Sequence, residues 1–414
     1  MDTTNVTFLA ILKAAVGGEK PALEREIPLD EWHRLFRLAG IHNVLPLFYE
    51  AVYTEPSLVK EQPLLASVKH QVMQQVIMQT VRTTDFLELN DRFQAAGIRP
   101  LVVKGIICRN LYRKPDCRPS SDEDVLIPPE QFGECHRVLA DYGMQTSEYQ
   151  EELSAAYEVP YRKVRSPLYI ELHKYLFPPK SDAYGDMNRF FQGVFDRAVG
   201  VEIQGNIVYT LGYTDHLFYL ICHAFKHFLH SGFGIRQVCD IVLYANEYGN
   251  RIDWMQILEH CKAIHTEKFA AALFQIGSKY LVFDPDRAGY PDAWRKIRVD
   301  EMPMLEDLLS GGLYGDANMS RKHSSKITLD AVAAQKQGRK AKNAIVASVF
   351  PSAAKLEGKY PYLKKHPYLV PVAWGSRLWD YARETRHSRS NNASDALRIG
   401  NERVELMKVY GILK

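Results

Sequence analysis

Several features that mark specialised classes of protein are missing from this sequence. No two cysteines have the C-x-x-C spacing of a zinc site or a redox motif, and no internal repeat is present. No run of about 18 residues is both apolar and uncharged, so no membrane span is expected. Asp2 stands where a signal peptide would carry basic residues, and we therefore expect a cytoplasmic protein.

An excess of charge of one sign is also missing. Among 414 residues, 52 Lys and Arg balance 49 Asp and Glu, which leaves a net charge of +3. A chain this close to neutrality has no global field that selects nucleic acid or a membrane, although nucleic acid is not excluded as a partner. The six cysteines are scattered among apolar neighbours, which predicts reduced, structural thiols.

Hydrophobic periodicity divides the chain into three predicted units. Residues 1–97 have the period of about 3.6 residues that is typical of helices, and helices return between 213 and 414. Residues 98–212 instead carry short apolar or alternating runs that predict strands. Within the last unit, the stretch 311–345, with its basic residues at 321–342, predicts a solvated face or a mobile loop. The alternative for this stretch is a phosphate-facing arm.

Two aspartates stand at the start of a predicted strand that ends at residue 127. Because side chains alternate between the faces of a strand, Asp122 and Asp124 point to the same side. Neighbouring carboxylates repel each other unless a cation lies between them, and oxygen ligands at this spacing suit Mg²⁺. We therefore predict Asp122 and Asp124 as ligands of Mg²⁺ or Mn²⁺. The alternative is a pair of exposed aspartates in a turn.

A second predicted strand adds a third acidic side chain. In the alternating run 168–173, Glu171 and His173 lie on the face opposite to the apolar residues. If this strand lies beside the first one, Glu171 joins the two aspartates. Three carboxylates can hold two metal ions about 3.5–4 Å apart. Glu171 would then also be placed to accept the proton of an acceptor.

A strand-to-helix turn upstream offers groups that bind phosphate. Gly105 lets backbone N–H groups approach an anion at the start of a helix, and Lys104 adds a positive charge. Arg118, four residues before Asp122, can donate two parallel hydrogen bonds to phosphate oxygens. The alternatives are a solvated lysine at the end of the strand and a salt bridge between Arg118 and a nearby acid.

Four short motifs in this region resemble those of one protein family: Val102-Val103-Lys104-Gly105, Leu111-Tyr112, Arg118-Pro119 and Asp122-x-Asp124-x-Leu126-Ile127. The family is the uncharacterised nucleotidyltransferase family of the polymerase-beta-like superfamily. The run from Ile170 to His173 is similar to its third acidic strand, and Phe350-Pro351 resembles part of its carboxy-terminal region. The likeness extends from about residue 30 to about residue 380.

The resemblance implies an α+β fold, in which a small mixed-sheet nucleotidyltransferase core is flanked by amino- and carboxy-terminal helical units. It also implies Asp122 and Asp124 as metal ligands, Glu171 as the third carboxylate and the Lys104–Gly105 turn as the phosphate loop. One position departs from the wider superfamily, because Ile106 follows the loop glycine where Ser or Gly is usual. A hydroxyl contact to phosphate is therefore missing.

A predicted helix at 214–231 carries a stripe of histidines at positions 216, 223, 227 and 230. Two interpretations stay open: the stripe lines the cleft opposite the carboxylates, or it packs as an interface helix. A third alternative is a transition-metal site, as in a metal-dependent hydrolase.

On the next helix, Arg236 and Asp240 are four residues apart, which predicts a surface ion pair. Alternatively, Asp240 orients an acceptor hydroxyl.

The sequence thus predicts a metal-dependent nucleotidyltransferase that moves a nucleoside monophosphate from a nucleoside triphosphate to an unidentified acceptor. The predicted catalytic and metal-binding residues are Asp122, Asp124 and Glu171. The predicted nucleotide contacts are Lys104, Gly105, Arg118 and Lys226. The residues predicted to face the acceptor or to support the site are His173, His223, His227 and Asp240. The alternative, which Ile106 favours, is a non-catalytic nucleotide- or partner-binding module that retains the fold.

Overall fold

The computed structural model describes residues 1–147, 153, 156–311, 319–338, 353–385 and 393–414. Its amino-terminal part consists of five helices: α1 (Thr3–Gly17), α2 (Leu29–Ile41), α3 (Leu45–Val52), α4 (Pro56–Val59) and α5 (Gln62–Ala95). Asp2 caps the first helix, because its carboxylate accepts a hydrogen bond of 2.8 Å from the backbone N–H of Asn5. The 34-residue helix α5 then leads directly to the first strand.

The central part alternates short strands with helices. Its elements are β1 (Leu101–Val102), α6 (Ile106–Arg109), β2 (Glu123–Leu126), α7 (Phe132–Asp141), β3 (Met144–Gln145), β4 (Glu158–Lys163), β5 (Tyr169–His173), β6 (Val199–Ile203) and β7 (Asn206–Thr210). Five of the strands form one sheet in the order β1-β2-β5-β4-β3, while β6 and β7 pair as a separate hairpin. The sheet is mixed, because β2 and β5 run parallel and the other neighbours run antiparallel.

Helices return after the hairpin. They are α8 (Tyr213–Leu229), α9 (Ile235–Tyr248), α10 (Trp254–Ala263), α11 (Glu267–Tyr280), α12 (Asp292–Arg295), α13 (Met302–Gly311), α14 (Met319–Lys336), α15 (Ala353–Leu356), α16 (Val370–Thr385) and α17 (Ala393–Val409). This arrangement confirms the predicted α+β class with a small mixed sheet and flanking helices. The division into units at 1–97, 98–212 and 213–414 stays a prediction.

The two faces of the sheet have different neighbours. Val125 and Ile170 on one face pack against α5 and α7 in a continuous apolar cluster. A larger apolar cluster joins α1 to α3 with α8 to α11, so the first and last thirds of the chain share a core. The second face of the sheet, which carries Asp124 and Glu171, is turned towards α8 and α9. The fold therefore brings the acidic strands and the histidine helix to the same place.

Residues 319–336 form helix α14, so the mobile loop predicted within 311–345 was wrong here, whereas the exposed Lys326 and Lys336 agree with the predicted solvated face. Ile327, Ala331 and Val332 are buried on one side of this helix, which packs against α17. The many basic residues obscure this apolar stripe in the sequence. Residues 339–345 and the Phe350-Pro351 motif lie outside the described residues.

The six cysteines are free thiols, and each is buried. This finding confirms the predicted structural thiols, because none of the six forms a disulfide bond. Across the described ranges, no helix is both long enough and apolar enough to cross a membrane.

Candidate active site

A cavity of about 290 Å³ lies between the sheet and helices α8 and α9. Every residue predicted for the site lines this cavity: Lys104, Gly105, Arg118, Asp122, Asp124, Glu171, His173, His223, Lys226, His227 and Asp240. These residues come from five separate segments of the chain, and the fold collects them around one space. Sharing a cavity does not by itself give each residue the predicted role, which depends on the contacts of its side chain.

The acidic strands meet in register. Asp124 in β2 lies directly opposite Glu171 in the parallel strand β5. Two residues further along both strands, Leu126 lies opposite His173. Since side chains two residues apart share a face, Glu171 and His173 project from β5 on the same side as Asp124. The sequence left open whether these two strands are neighbours, and in the structure they are.

Within the described part of the chain, one group of three side chains has the separations that a metal ion needs: Asp124, Glu171 and His173. Their ligand atoms lie within 4.8 Å of one another. His173 Nε2 is 3.1 Å from Asp124 Oδ1 and 3.7 Å from Glu171 Oε2. The sequence assigned His173 either to the acceptor or to a supporting role, and in the structure its ring lies close to both acids. Asp122 lines the same cavity but does not belong to this group.

The protonation states of the three groups are linked. Burial by itself would lower the pKa of His173, but hydrogen bonds to Asp124 and Glu171 outweigh this effect and raise the pKa to about 9. Burial would likewise raise the pKa of Asp124, yet Lys104 and His173 hold it well below its usual value. The hydrogen bond from His173 lowers the pKa of Glu171, and burial with the charges of Asp124 and Asp122 raises it overall. A proton on His173 thus occupies the space between the two acids.

The donor set of this group fits a divalent cation. Two carboxylates suit Mg²⁺ or Mn²⁺, and a neutral imidazole is a common third ligand for transition metals. A cation between the acids would replace the proton of His173 as their counter-charge, because metal ligands bind in their deprotonated forms. Asp124, Glu171 and His173 are therefore the side chains that would hold a metal ion.

Lys104 is not the solvated lysine that one interpretation of the sequence proposed. Its ammonium lies 2.7 Å from Asp124 Oδ2, and its side chain is 17% exposed. It also lies 3.1 Å from His223 Nε2, which must accept because an ammonium can only donate. Lys104 therefore bridges the acidic strand β2 to helix α8 across the cavity.

The backbone turn at Gly105 packs against the buried carboxylate of Glu123. The residue has φ +50°, and a Cβ at this position would overlap the carboxylate of Glu123. That carboxylate accepts a hydrogen bond of 2.7 Å from the backbone N–H of Ile106 and pairs at 2.6 Å with Arg109. Glycine is required here because a side chain would displace the buried acid. The Ile106 N–H is used by Glu123, so any phosphate contact at this turn needs other groups.

Arg118 makes the salt bridge that the sequence left as its alternative role. Its guanidinium donates to Asp240 through Nε at 3.1 Å and through a terminal nitrogen at 2.5 Å. Tyr112 donates a third hydrogen bond of 2.8 Å to the same carboxylate. Both charged partners are almost fully buried. The prediction of a surface ion pair between Arg236 and Asp240 was wrong, because Asp240 pairs with Arg118 and Arg236 donates to the carbonyl of Pro119.

The four histidines of helix α8 do not share one environment. His223 and His227 line the cavity, with their Nε2 atoms 3.2 Å apart. His216 is fully buried beside Thr210, and His230 bonds to Tyr184. Burial and nearby cations lower the pKa of His227 to about 3, so this ring is neutral. The prediction that the stripe as a whole faces the cleft was therefore right for two histidines only.

The apolar side of helix α8 agrees with the sequence pattern. Leu217, Ile221, Phe225 and Phe228 are all buried in the core. No group formed by these histidines has metal-ligand spacing among the described side chains. This observation removes the support for a hydrolase built on the histidine stripe.

Sequence reasoning missed several residues that line the cavity, among them Glu158, Tyr219 and Arg236. Glu158 Oε2 lies 3.6 Å from His173 Nδ1, on the side of the ring that faces away from Asp124. The alternation of residues 157–165 offered a signal for Glu158, because a strand paired with the Glu171 strand directs every second side chain to the same face. Arg236 was noted in the sequence but was assigned to the surface, although only 9% of it is exposed.

The comparisons with known proteins identify the family but supply no relative of established activity. No curated protein and no solved structure matches the chain significantly. The model of a family described as "Uncharacterised nucleotidyltransferase" matches residues 28–281, which is more than half of the chain and includes the whole cavity. The chain therefore belongs to this uncharacterised nucleotidyltransferase family.

Proposed function

We propose that this protein is a metal-dependent nucleotidyltransferase that moves a nucleoside monophosphate from a nucleoside triphosphate to an acceptor. The observation that carries the proposal is the register of β2 and β5, which brings Asp124, Glu171 and His173 together in one cavity. Cationic side chains line the same cavity, so it offers places for both a divalent cation and phosphate groups.

Asp124, Glu171 and His173 would hold the cation, with Asp122 close by on the same strand. A bound Mg²⁺ or Mn²⁺ neutralises negative charge on the phosphates and favours attack at the α-phosphorus. The acceptor oxygen or nitrogen forms a bond to the α-phosphorus, while the bond from that phosphorus to the bridging oxygen breaks and pyrophosphate leaves. The acceptor's proton goes to a carboxylate, and Glu171, which lies opposite Asp124 and lines the cavity, is the proposed proton acceptor.

Lys104, Gly105, Arg118 and Lys226 are the proposed nucleotide contacts, and His223, His227 and Asp240 face the acceptor or support the site. The contacts of Lys104 with Asp124 and of Arg118 with Asp240 suggest that both cations also hold the shape of the site. The acceptor is not defined by these contacts, and nucleic acid remains among the possibilities.

The competing function is a non-catalytic nucleotide- or partner-binding module. It is favoured by Ile106, whose backbone N–H is engaged by Glu123 and whose side chain is buried in the core. The two functions differ in turnover and not in binding, because a module that retains the cavity still binds a nucleotide.

Transfer of label from α-phosphate-labelled nucleoside triphosphates, with Mg²⁺ or Mn²⁺ and a cell extract as the source of acceptors, separates these functions. Asp124→Asn should reduce transfer by about 10²–10³-fold or more, since the loss of one preorganised electrostatic contact has this effect. Glu202→Gln is the matched control, because Glu202 is an exposed acid on the separate hairpin. Nucleotide binding without any transfer of label would support the non-catalytic module, and equal transfer by both variants would refute the assigned site.

A further inference from the structure

The cations around the cavity differ in whether they already have a counter-charge. Lys104 is paired with Asp124 at 2.7 Å, and Arg118 is paired with Asp240 through two hydrogen bonds. A phosphate could reach either cation only by competing with a buried carboxylate. Breaking such a buried pair is costly, because the carboxylate left behind has no partner. These two residues are therefore poor primary ligands for an anion.

Arg236 is in a different situation. It is 9% exposed, lines the cavity and donates to the backbone carbonyl of Pro119. Its Nε is buried without a hydrogen-bond partner, and no carboxylate of the described residues lies within ion-pair distance. Asp240, four residues further along the same helix, is already paired with Arg118. A buried guanidinium without a counter-charge is unfavourable, and an anionic ligand would compensate it.

Lys226 is the second cation without a partner. It lies on α8, one helical turn after Cys222, and it lines the cavity beside His223 and His227. No ion pair to Lys226 is present in the described parts of the chain. Burial lowers its pKa, and Glu158 on the opposite strand counteracts this effect only in part. Burial and the neighbouring cation Lys104 lower the pKa of both histidines, which favours their neutral forms.

The charges around the cavity are consequently separated between its two walls. The strand wall carries four carboxylates, from Asp122, Asp124, Glu158 and Glu171, together with Lys104 and His173. The wall formed by α8 and α9 carries the cations Lys226 and Arg236 and a single carboxylate, Asp240, which Arg118 already neutralises. A ligand that is cationic at one end and polyanionic at the other fits this separation. A divalent cation with a triphosphate has this distribution of charge.

We propose that Lys226 and Arg236 form a subsite for the terminal phosphates of the nucleotide, opposite the acidic cluster. This inference rests on the proposed function for the identity of the ligand. It changes the assignment of the other cations, because Lys104 and Arg118 then act as positioning residues. It also fixes the direction of the triphosphate, whose terminal phosphates lie towards α8 and α9 and whose α-phosphorus lies towards β2 and β5.

Because this subsite contains no metal ligand, its affinity for polyphosphate is measurable without a divalent cation. The probe is inorganic tripolyphosphate, titrated calorimetrically into the full-length protein in the presence of EDTA. We expect binding by the wild-type protein, and Lys226→Met and Arg236→Gln should each weaken it about tenfold or more, since each removes a charged hydrogen-bond donor. Arg236→Lys should retain most of the affinity. Orthophosphate is too short to contact both cations as closely as tripolyphosphate does, so it should bind at least tenfold more weakly than tripolyphosphate.

Lys262→Met is the matched control, because Lys262 is an exposed lysine on α10. Circular dichroism establishes that each variant is folded, and Lys226→Met serves if Arg236→Gln does not fold. The proposal is overturned if tripolyphosphate does not bind without metal, or if Lys226→Met binds as tightly as Lys262→Met. Tripolyphosphate binding that depends on Lys226 in a protein without label transfer would retain this subsite and refute the proposed transferase activity.

Discussion

Replacing Asp240 by alanine tests whether its pair with Arg118 is a buried structural element or a dispensable contact. The carboxylate accepts two hydrogen bonds from Arg118 and one from Tyr112, and it is 4% exposed. Its removal leaves the charges of Arg118 and Arg236 buried together. We expect a loss of about 3–5 kcal/mol in the free energy of unfolding, the usual effect of removing one partner of a buried pair. Urea denaturation followed by circular dichroism measures this loss.

Glu247→Ala provides the comparison within the same helix. Glu247 pairs with Arg287, and both side chains are more than half exposed, so we expect a loss below about 1 kcal/mol. The double variant Arg118→Met with Asp240→Leu should lose less than Asp240→Ala, because it leaves one unpaired arginine and not two. Equal losses for Asp240→Ala and Glu247→Ala would refute the reasoning, since the cost is attributed entirely to burial.

Two further predictions concern the turn and the acidic cluster. Gly105→Ala should destabilise the protein by about 2–5 kcal/mol in urea denaturation, because its Cβ overlaps the Glu123 carboxylate at φ +50°. Gly97→Ala, at φ +75° with open space around the added Cβ, should cost clearly less, and similar losses would contradict the role of the overlap. His173 has its pKa raised from 6.5 to about 9, so the stability that it contributes is present below about pH 6.5 and is lost as the pH rises through 9. His173→Gln should remove this part of the pH dependence, and an unchanged profile would show that Asp124 does not hold the ring protonated.

Local patterns in the sequence were sufficient for most of the elements around the site. The helix predicted to carry Arg236 and Asp240 is present as Ile235–Tyr248, because an apolar stripe with a glycine on either side defines it locally. The alternation around Glu171 correctly placed its neighbours, since the two faces of a strand are fixed by the backbone. The helix at 319–336 was missed because residues 320–326 are all polar and obscure the apolar spacing that follows them.

The contacts between charged groups could not be predicted from local patterns. Arg118 and Asp240 are 122 positions apart, and Lys104 and His223 are 119 apart, so no local period relates them. The sequence offered Arg236 as the partner of Asp240 because it lies one helical turn away. In the structure, Asp240 pairs with Arg118, and Arg236 has no ion-pair partner among the described residues. Which cation pairs with which acid depends on the helices that pack over the sheet.

The sequence alone determined which residues are predicted to carry the chemistry, because strand and helix spacing indicates which side chains share a face before the chain folds. Only the tertiary structure decided that β5 lies parallel to β2, which places His173 between Asp124 and Glu171. The physical reason is that backbone periodicity relates only residues a few positions apart, whereas the burial of apolar faces determines which distant segments meet. Charges then pair with whatever that packing brings within reach.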